Sequence, residues 1–416
     1  MKKLISLMLC LLLCLSAAFA MADDQLTIVH VTDMHYLSPT LTDYGESFMA
    51  LIEDGDGKVT HYTPQLMAAF VDEMLVLMPD AIILTGDLTF NGASRSHTDL
   101  ASLLTPLAEA GIQVLALPGN HDTNSTGYQF VEPDVYYVES LPDEEFDDVY
   151  AHLGYSDAIS RDAVSMSYVA EAAPGVWALM VDVNANGTAG TVSEETFVWI
   201  EEQLIKAQQQ GITVITASHQ PVLIHNSLFT FSYVINNNTR LLALYEKYQV
   251  PLNLCGHLHM QHIAHSGTLT EVAASSLAVS PNQYGVLRLD GNQILDYQMH
   301  PLNVAAWAAR TGQTDPNLLD FAAYSADFFD RTTYAQAASM FASSTLPLAE
   351  QEPMIDFIVR LNAEYFAGKR TITADDPMWA MWQEHMPAAF FTYYMSSILA
   401  EPLQDMTYHA FQEATP

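Results

Sequence analysis

The chain has 416 residues, half of them hydrophobic and only 15% charged, enough to bury a sizeable core and too apolar for a disordered or low-complexity protein. Against 49 Asp and Glu stand 14 Lys and Arg, a net charge of −35. A nucleic-acid polymer needs clustered cations that release its counterions, and an anionic membrane surface needs the same, so neither fits as a partner.

The N-terminus reads as an export address. Lys2 and Lys3 precede an apolar run over 4–15 that is too short to span a bilayer. Small-residue cleavage signals follow at Ala18-Phe19-Ala20 and Ala20-Met21-Ala22. Residues 1–22 are therefore expected to be a cleaved signal peptide, and the mature protein to be secreted or extracytoplasmic. No later segment has the roughly 20 consecutive apolar residues of a membrane helix. Cleavage removes Cys10 and Cys14 and leaves Cys255, flanked by apolar Leu252 and Leu254, as a buried thiol with no partner for a disulfide.

From 26 to 299 short β-rich runs alternate with helical stretches. Strands are expected at 26–31, 81–84, 113–117, 165–169, 176–181, 213–217 and 252–255. Helices are expected at 63–78, with Leu66, Met67, Phe70, Val71, Met74 and Leu75 on one face, at 96–109 and at 193–209. Thr191 and Glu194 are spaced as a capping box for the last of these. Closely spaced strands at 262–266, 268–273, 284–289 and 293–298 follow, punctuated by Ser266-Gly267 and Asp290-Gly291-Asn292. Residues 54–58, Asp-Gly-Asp-Gly-Lys, start like a calcium loop but lack its downstream Glu and read as a turn. The acidic, Tyr-rich stretch 128–148 reads as a solvated loop over a site mouth. From Asn303 the texture becomes helical, broken at Pro347, Pro353, Pro377, Pro387 and Pro402. The expected domains are 23–302, an α/β core of mixed sheets, and 303–416, all-α.

Five segments each follow an expected strand: Asp33-Met34-His35, Gly86-Asp87, Gly119-Asn120-His121-Asp122, Ser218-His219 and Gly256-His257-Leu258-His259. In α/β sheets the edge outside the strand carboxyl ends is where ligands sit. Alternation along an extended segment lets Asp33 and His35 share one metal. The donors are carboxylate, carboxamide and imidazole without thiolate, a set suited to Mn, Fe or Zn.

The five segments in this order resemble the calcineurin-like metallophosphoesterases, and the run 86–92 with Asp33-Met34-His35-Tyr36 and Ile159-Ser160-Arg161-Asp162 is similar to secreted bacterial cyclic-nucleotide phosphodiesterases with a helical C-terminal domain. The resemblance implies a sandwich of two mixed β-sheets flanked by helices. It implies a first metal held by Asp33, His35 and His259, a second held by Asn120, His219 and His257, and Asp87 bridging both. It also implies His121 as the catalytic histidine beside the leaving group, oriented by Asp122. Two cations about 3.5–4 Å apart clamp a phosphoryl group and deprotonate a shared water near neutral pH, so the expected chemistry is in-line hydrolysis with no covalent intermediate. Asn91 and His225 are candidate substrate contacts. The expected partner is a small phosphodiester, foremost a cyclic nucleotide; Lys58, Arg95 and Arg161 are the few cations near the motifs, which favours a monoanionic diester. The alternatives are a phosphomonoesterase or nucleotidase on the same metals, and a metal-binding or partner-binding protein on a phosphatase fold. Oligomeric state is not legible in the sequence.

Overall fold

The computed structural model describes residues 25–123, 125–184 and 189–411; the expected signal peptide lies outside them. Among the described residues fifteen strands run in chain order as β1 (Gln25–Val31), β2 (Ala81–Thr85), β3 (Gln113–Leu117), β4 (Tyr128–Val131), β5 (Asp134–Tyr137), β6 (Ser160–Arg161), β7 (Tyr168–Ala173) and β8 (Val176–Val181), then β9 (Thr213–Ser218), β10 (Leu252–Cys255), β11 (His262–Ser266), β12 (Leu269–Ala273), β13 (Gln283–Asp290), β14 (Gln293–Pro301) and β15 (Tyr408–Ala410). They form two mixed sheets, ordered β15-β14-β13-β1-β2-β3 and β11-β12-β10-β9-β8-β7-β6, plus the hairpin β4-β5. The parallel centres are β1-β2-β3 and β8-β9-β10-β12, and antiparallel pairs flank them.

Alternation along the strands decides how the layers stack. In β8, Ala178 and Met180 face the core shared by the two sheets, while Trp177, Leu179 and Val181 face helices Glu194–Gln210 and Asn238–Lys247 on the outside. Both faces are thus covered, which is why β2 and β8 read as unbroken apolar runs. Helices Thr63–Leu77 and Ser94–Glu109 cover the first sheet. Helix Glu194–Gln210 is capped by Ser193, whose side chain accepts from the Thr196 N–H, and not by Thr191, whose own N–H is drawn to the Val183 carbonyl.

Residues 304–399 carry six helices joined by loops. Val304, Ala308, Phe321 and Phe328 sink into the main core, whereas Leu361, Trp382, Met395 and Ile398 form a second core of their own. The chain then returns, and β15 pairs with β14, so the helical region ends on a strand of the first sheet. The stretch read as a solvated loop contains the β4-β5 hairpin. Among the described residues no helix is long and apolar enough to cross a membrane.

Candidate metal centre

All five polar segments leave carboxyl ends of strands: β1, β2, β3, β9 and β10. The backbone turns hard to aim them. Asp33, His35, Asp87, His257 and His259 all sit at positive φ, between 43° and 70°, each at a conformational cost of order 1 kcal/mol. The glycines earn their places differently. Gly86 is itself at φ +91°, but Gly119 and Gly256 are needed for room: a Cβ on Gly119 would lie 2.2 Å from the Asp87 nitrogen, and one on Gly256 1.9 Å from Thr32 Oγ1.

Two groups of facing side chains result, Asp33, His35, Asp87 and His259 in one, and Asp87, His219 and His257 in the other. Asp33 Oδ2 accepts from Thr32 Oγ1 and the His257 N–H, leaving Oδ1 buried, without a hydrogen-bond partner, 3.3 Å from His259 Nε2. His35 Nε2 and His259 Nε2 meet at 3.0 Å. His219 donates from Nδ1 to the Thr85 carbonyl at 2.8 Å, which turns Nε2 toward Asn120 Oδ1 at 3.1 Å and Asp87 Oδ1 at 3.3 Å. His257 donates from Nε2 to the Ser232 carbonyl, so its lone pair is on Nδ1. Lone-pair atoms aimed at one another in a buried site fit cations, and backbone carbonyls on the far ring nitrogens are what orients metal-binding histidines. Asp87 belongs to both groups, where a carboxylate can serve two ions.

The electrostatics matches. Burial opposes the charges of Asp33 and Asp87, but His259 and His219 outweigh it and hold both carboxyls below the usual range. Burial likewise opposes charge on His219 and His259, yet Asp87 and Asp33 raise each to about 9. Burial, then repulsion from His219, lowers His257 to about 4. Burial, then the Lys58 charge, lowers His35.

His121 stands beside the two groups. Its Nδ1 donates to the Phe90 carbonyl at 3.0 Å, and its Nε2 is 4.0 Å from Asp87 Oδ2. The expectation that Asp122 orients it is corrected: the buried Asp122 carboxylate accepts from the N–H groups of Leu88, Thr89 and Gly119 and from the Thr89 hydroxyl. It ties the Asp87 turn to the Asn120 turn, and Phe90 orients His121. Burial, then the Asp87 charge, pushes Asp122 up to about 7, against the pull of those donors.

Two cavities open on the centre. One, about 630 Å³, is mostly apolar, with Phe90, Tyr128, Phe130 and Ile52 beside His121 and Asn91. Asn91 is buried and both its amide atoms lack partners, as a substrate contact would. The other, about 400 Å³, holds Asp87, Asn120, His257 and His259 under a roof of Thr333, Asn362 and Tyr394 from the helical region. His225, the other expected substrate contact, lines neither: it is buried against Glu271 at 3.2 Å and His262 at 3.1 Å. Glu271 also accepts from the Val222 and Leu223 N–H groups and Asn253, so this polar knot braces the loop after His219. Cys255 is buried. Thr333 and Asn362 escaped the sequence because Thr and Asn on helices look like solvated surface, whereas Tyr394 belongs to an aromatic stripe visible there. Residues 54–58 form a turn, as expected, but one that brings Asp56 to 3.3 Å from His259 Nδ1 and Lys58 into both cavities. An acid and a base on either side of Gly57 was the available signal.

Fold and site together define a metal-dependent hydrolase of phosphate esters. The chain belongs to the calcineurin-like phosphoesterases, whose family profile matches residues 26–261. Residues 303–405 match the C-terminal domain of cyclic nucleotide phosphodiesterase. A protein of Moraxella catarrhalis named "Probable cyclic nucleotide phosphodiesterase" is 26% identical over 223 residues, 53% of this chain and 72% of its own. One of Arcobacter nitrofigilis named "Probable glycerophosphodiester phosphodiesterase GpdQ" is 27% identical over 240 residues, 57% of this chain and 76% of its own. A solved dimetal phosphatase from Danio rerio is similar at a TM-score of 0.46 and 12% identity, covering 66% of this chain and 95% of that one.

Proposed function

We propose that the protein is an exported two-metal phosphodiesterase acting on cyclic nucleotides or closely related small phosphodiesters. The observation that carries this is Asp87, a carboxylate shared by two groups of inward-facing ligand atoms, beside a histidine that belongs to neither. Bound divalent ions would supply Lewis-acid activation of the phosphoryl group and of water. Asp33, His35 and His259 would hold one ion and Asn120, His219 and His257 the other, with Asp87 between them.

The chain's own residues do the rest. With Nδ1–H committed to Phe90, His121 presents Nε2 to both cavities, and from that atom a protonated ring can give its proton to the departing ester oxygen. The apolar cavity takes the organic group, and Asn91 offers it a donor and an acceptor. Lys58 is the one Lys or Arg lining either cavity among the described residues. A dianionic monoester would call for more positive charge, so a monoanionic diester is favoured over a monoester. The names carried by the Moraxella and Arcobacter relatives support a diester substrate. The leader over 1–22 supports export, which the mass of the mature secreted protein would check.

The test is turnover of a panel of 2′,3′-cyclic, 3′,5′-cyclic, acyclic diester and monoester substrates, after chelation and re-addition of Mn, Fe or Zn. Diester hydrolysis that vanishes on chelation and returns with metal is expected. Preference for monoesters would overturn the diesterase reading, and metal binding without turnover of any ester would favour a binding protein.

A further inference from the structure

The turn over 54–58 is held from two sides by parts of the molecule that have no ligand in the metal centre. On one side, helix Phe321–Met340 lies directly on it: Gln336 Nε2 donates to the Gly55 carbonyl at 2.7 Å, and a Cβ on Gly57 would lie 2.5 Å from Phe329 Cδ2. Gly57 is also at φ +86°, so both its conformation and its lack of a side chain are required there. On the other side, the Val59 N–H donates to the Ala278 carbonyl. That neighbouring segment supports the centre itself, with Ser276 Oγ donating to the Asp33 carbonyl and the Ser276 N–H to the His259 carbonyl. What the turn presents inward is an acid and a base. Asp56 Oδ2 lies 3.3 Å from His259 Nδ1, the ring nitrogen facing away from Asp33, and 3.2 Å from Lys58 Nζ. Lys58 is mostly buried and lines both cavities.

We propose that residues 54–58 are a phosphate-binding arm, clamped over the metal centre by the helical region, in which Lys58 binds a non-bridging phosphoryl oxygen and Asp56 holds the His259 ring in its ligating orientation. Lys58 and His121 each line both cavities, and a substrate with its departing group in the apolar cavity would place its phosphorus between them. A lone ammonium there meets the charge that gathers on phosphoryl oxygens as the bond to the leaving group breaks. Asp56 is the carboxylate partner that fixes a ligand histidine's tautomer and raises its basicity. The helical region thereby acts on the chemistry through the arm, without contributing a metal ligand. The arm rests on the phosphoryl-hydrolysis reading above, and its test is arranged to fail separately.

Lys58→Met is expected to lower kcat/KM for a nitrophenyl diester by about 10²-fold, as loss of one oxyanion donor does, with both metals and the Tm retained. Lys58→Arg should restore part of that loss. Inorganic phosphate, added to the metal-loaded protein as the probe, should bind Lys58→Met about tenfold more weakly. Asp56→Ala should lose metal from the first group about tenfold more readily on dialysis. Gln336→Ala should lower kcat/KM severalfold in the parent and leave it unchanged in the Lys58→Met background, because the glutamine acts through the arm; a merely structural role would add in both. Phosphate affinity and turnover within twofold of the parent in Lys58→Met would overturn the arm. Absence of turnover on every ester would overturn the functional reading instead, while phosphate affinity still decides the arm.

Discussion

Replacing Asp122 by alanine should cost the protein stability first and catalysis second. The side chain is buried and accepts four hydrogen bonds, from Leu88 N at 2.9 Å, Thr89 N at 2.8 Å, Gly119 N at 2.9 Å and Thr89 Oγ1 at 2.9 Å. Three of these donors are backbone N–H groups in a buried turn, and each costs about 1–3 kcal/mol when orphaned. Allowing for water entering the space, the loss is roughly 3–5 kcal/mol, a large share of the 5–15 kcal/mol typical of a domain. Asp122→Asn keeps one acceptor oxygen and should lose about half as much. Because Leu88 follows Asp87 and Gly119 precedes Asn120, both variants should also bind metal more weakly. Urea unfolding of the metal-free proteins measures the first effect, and metal content after dialysis the second. Turnover of metal-saturated Asp122→Asn should fall equally for esters with good and poor leaving groups. Unchanged unfolding, or a loss confined to poor leaving groups, would refute this reasoning and return Asp122 to the role of orienting His121.

His121→Ala should keep its metals while kcat falls on the order of 10²–10⁴ for esters with poor leaving groups, and much less for nitrophenyl esters, in steady-state assays. Asp87→Ala should lose both ions by metal analysis, whereas Asp33→Ala should lose one. Burial lowers His30 and His97 to about 3, below the 6.5 of an unfolded histidine. The unfolded chain therefore takes up protons first, and stability that is full above pH 6.5 should fall by about 1.4 kcal/mol per pH unit for each histidine down to about pH 3. His97→Gln should reduce that slope by one histidine's share in urea unfolding between pH 7 and 5; an unchanged slope would refute it.

The mixed sheets and the five polar segments were legible because apolar runs of strand length end in Asp, Asn or His, a pattern that survives without knowledge of the packing. What was not legible depended on partners far away in sequence. Asp122 looked like a companion of its neighbour His121, yet its partners are backbone N–H groups, which every residue carries and no motif reveals. His225 looked like a loop residue near His219, but Glu271, 46 residues on, buries it. Thr191 lost the helix cap to Ser193 because a tertiary hydrogen bond claimed its backbone. The hairpin β4-β5 was hidden by its exposure: every residue of β5 faces solvent, so no apolar alternation marks it. The turn over 54–58 was visible as a turn, and only helix Phe321–Met340 shows what it is held against.

The outer strand of the first sheet comes from beyond the helical region. β14 offers its free edge to Tyr408, His409 and Ala410, and Phe411 packs on the same core. A ribosome working from the N-terminus has therefore made the other fourteen described strands, the candidate metal ligands and every described helix before the segment that closes this edge emerges. Until then an unpaired strand edge and the apolar seat of Phe411 stay open to water or to a chaperone. Closing the first sheet is thus a step that follows the helical region, and a chain cut before residue 408 would keep this edge unpaired.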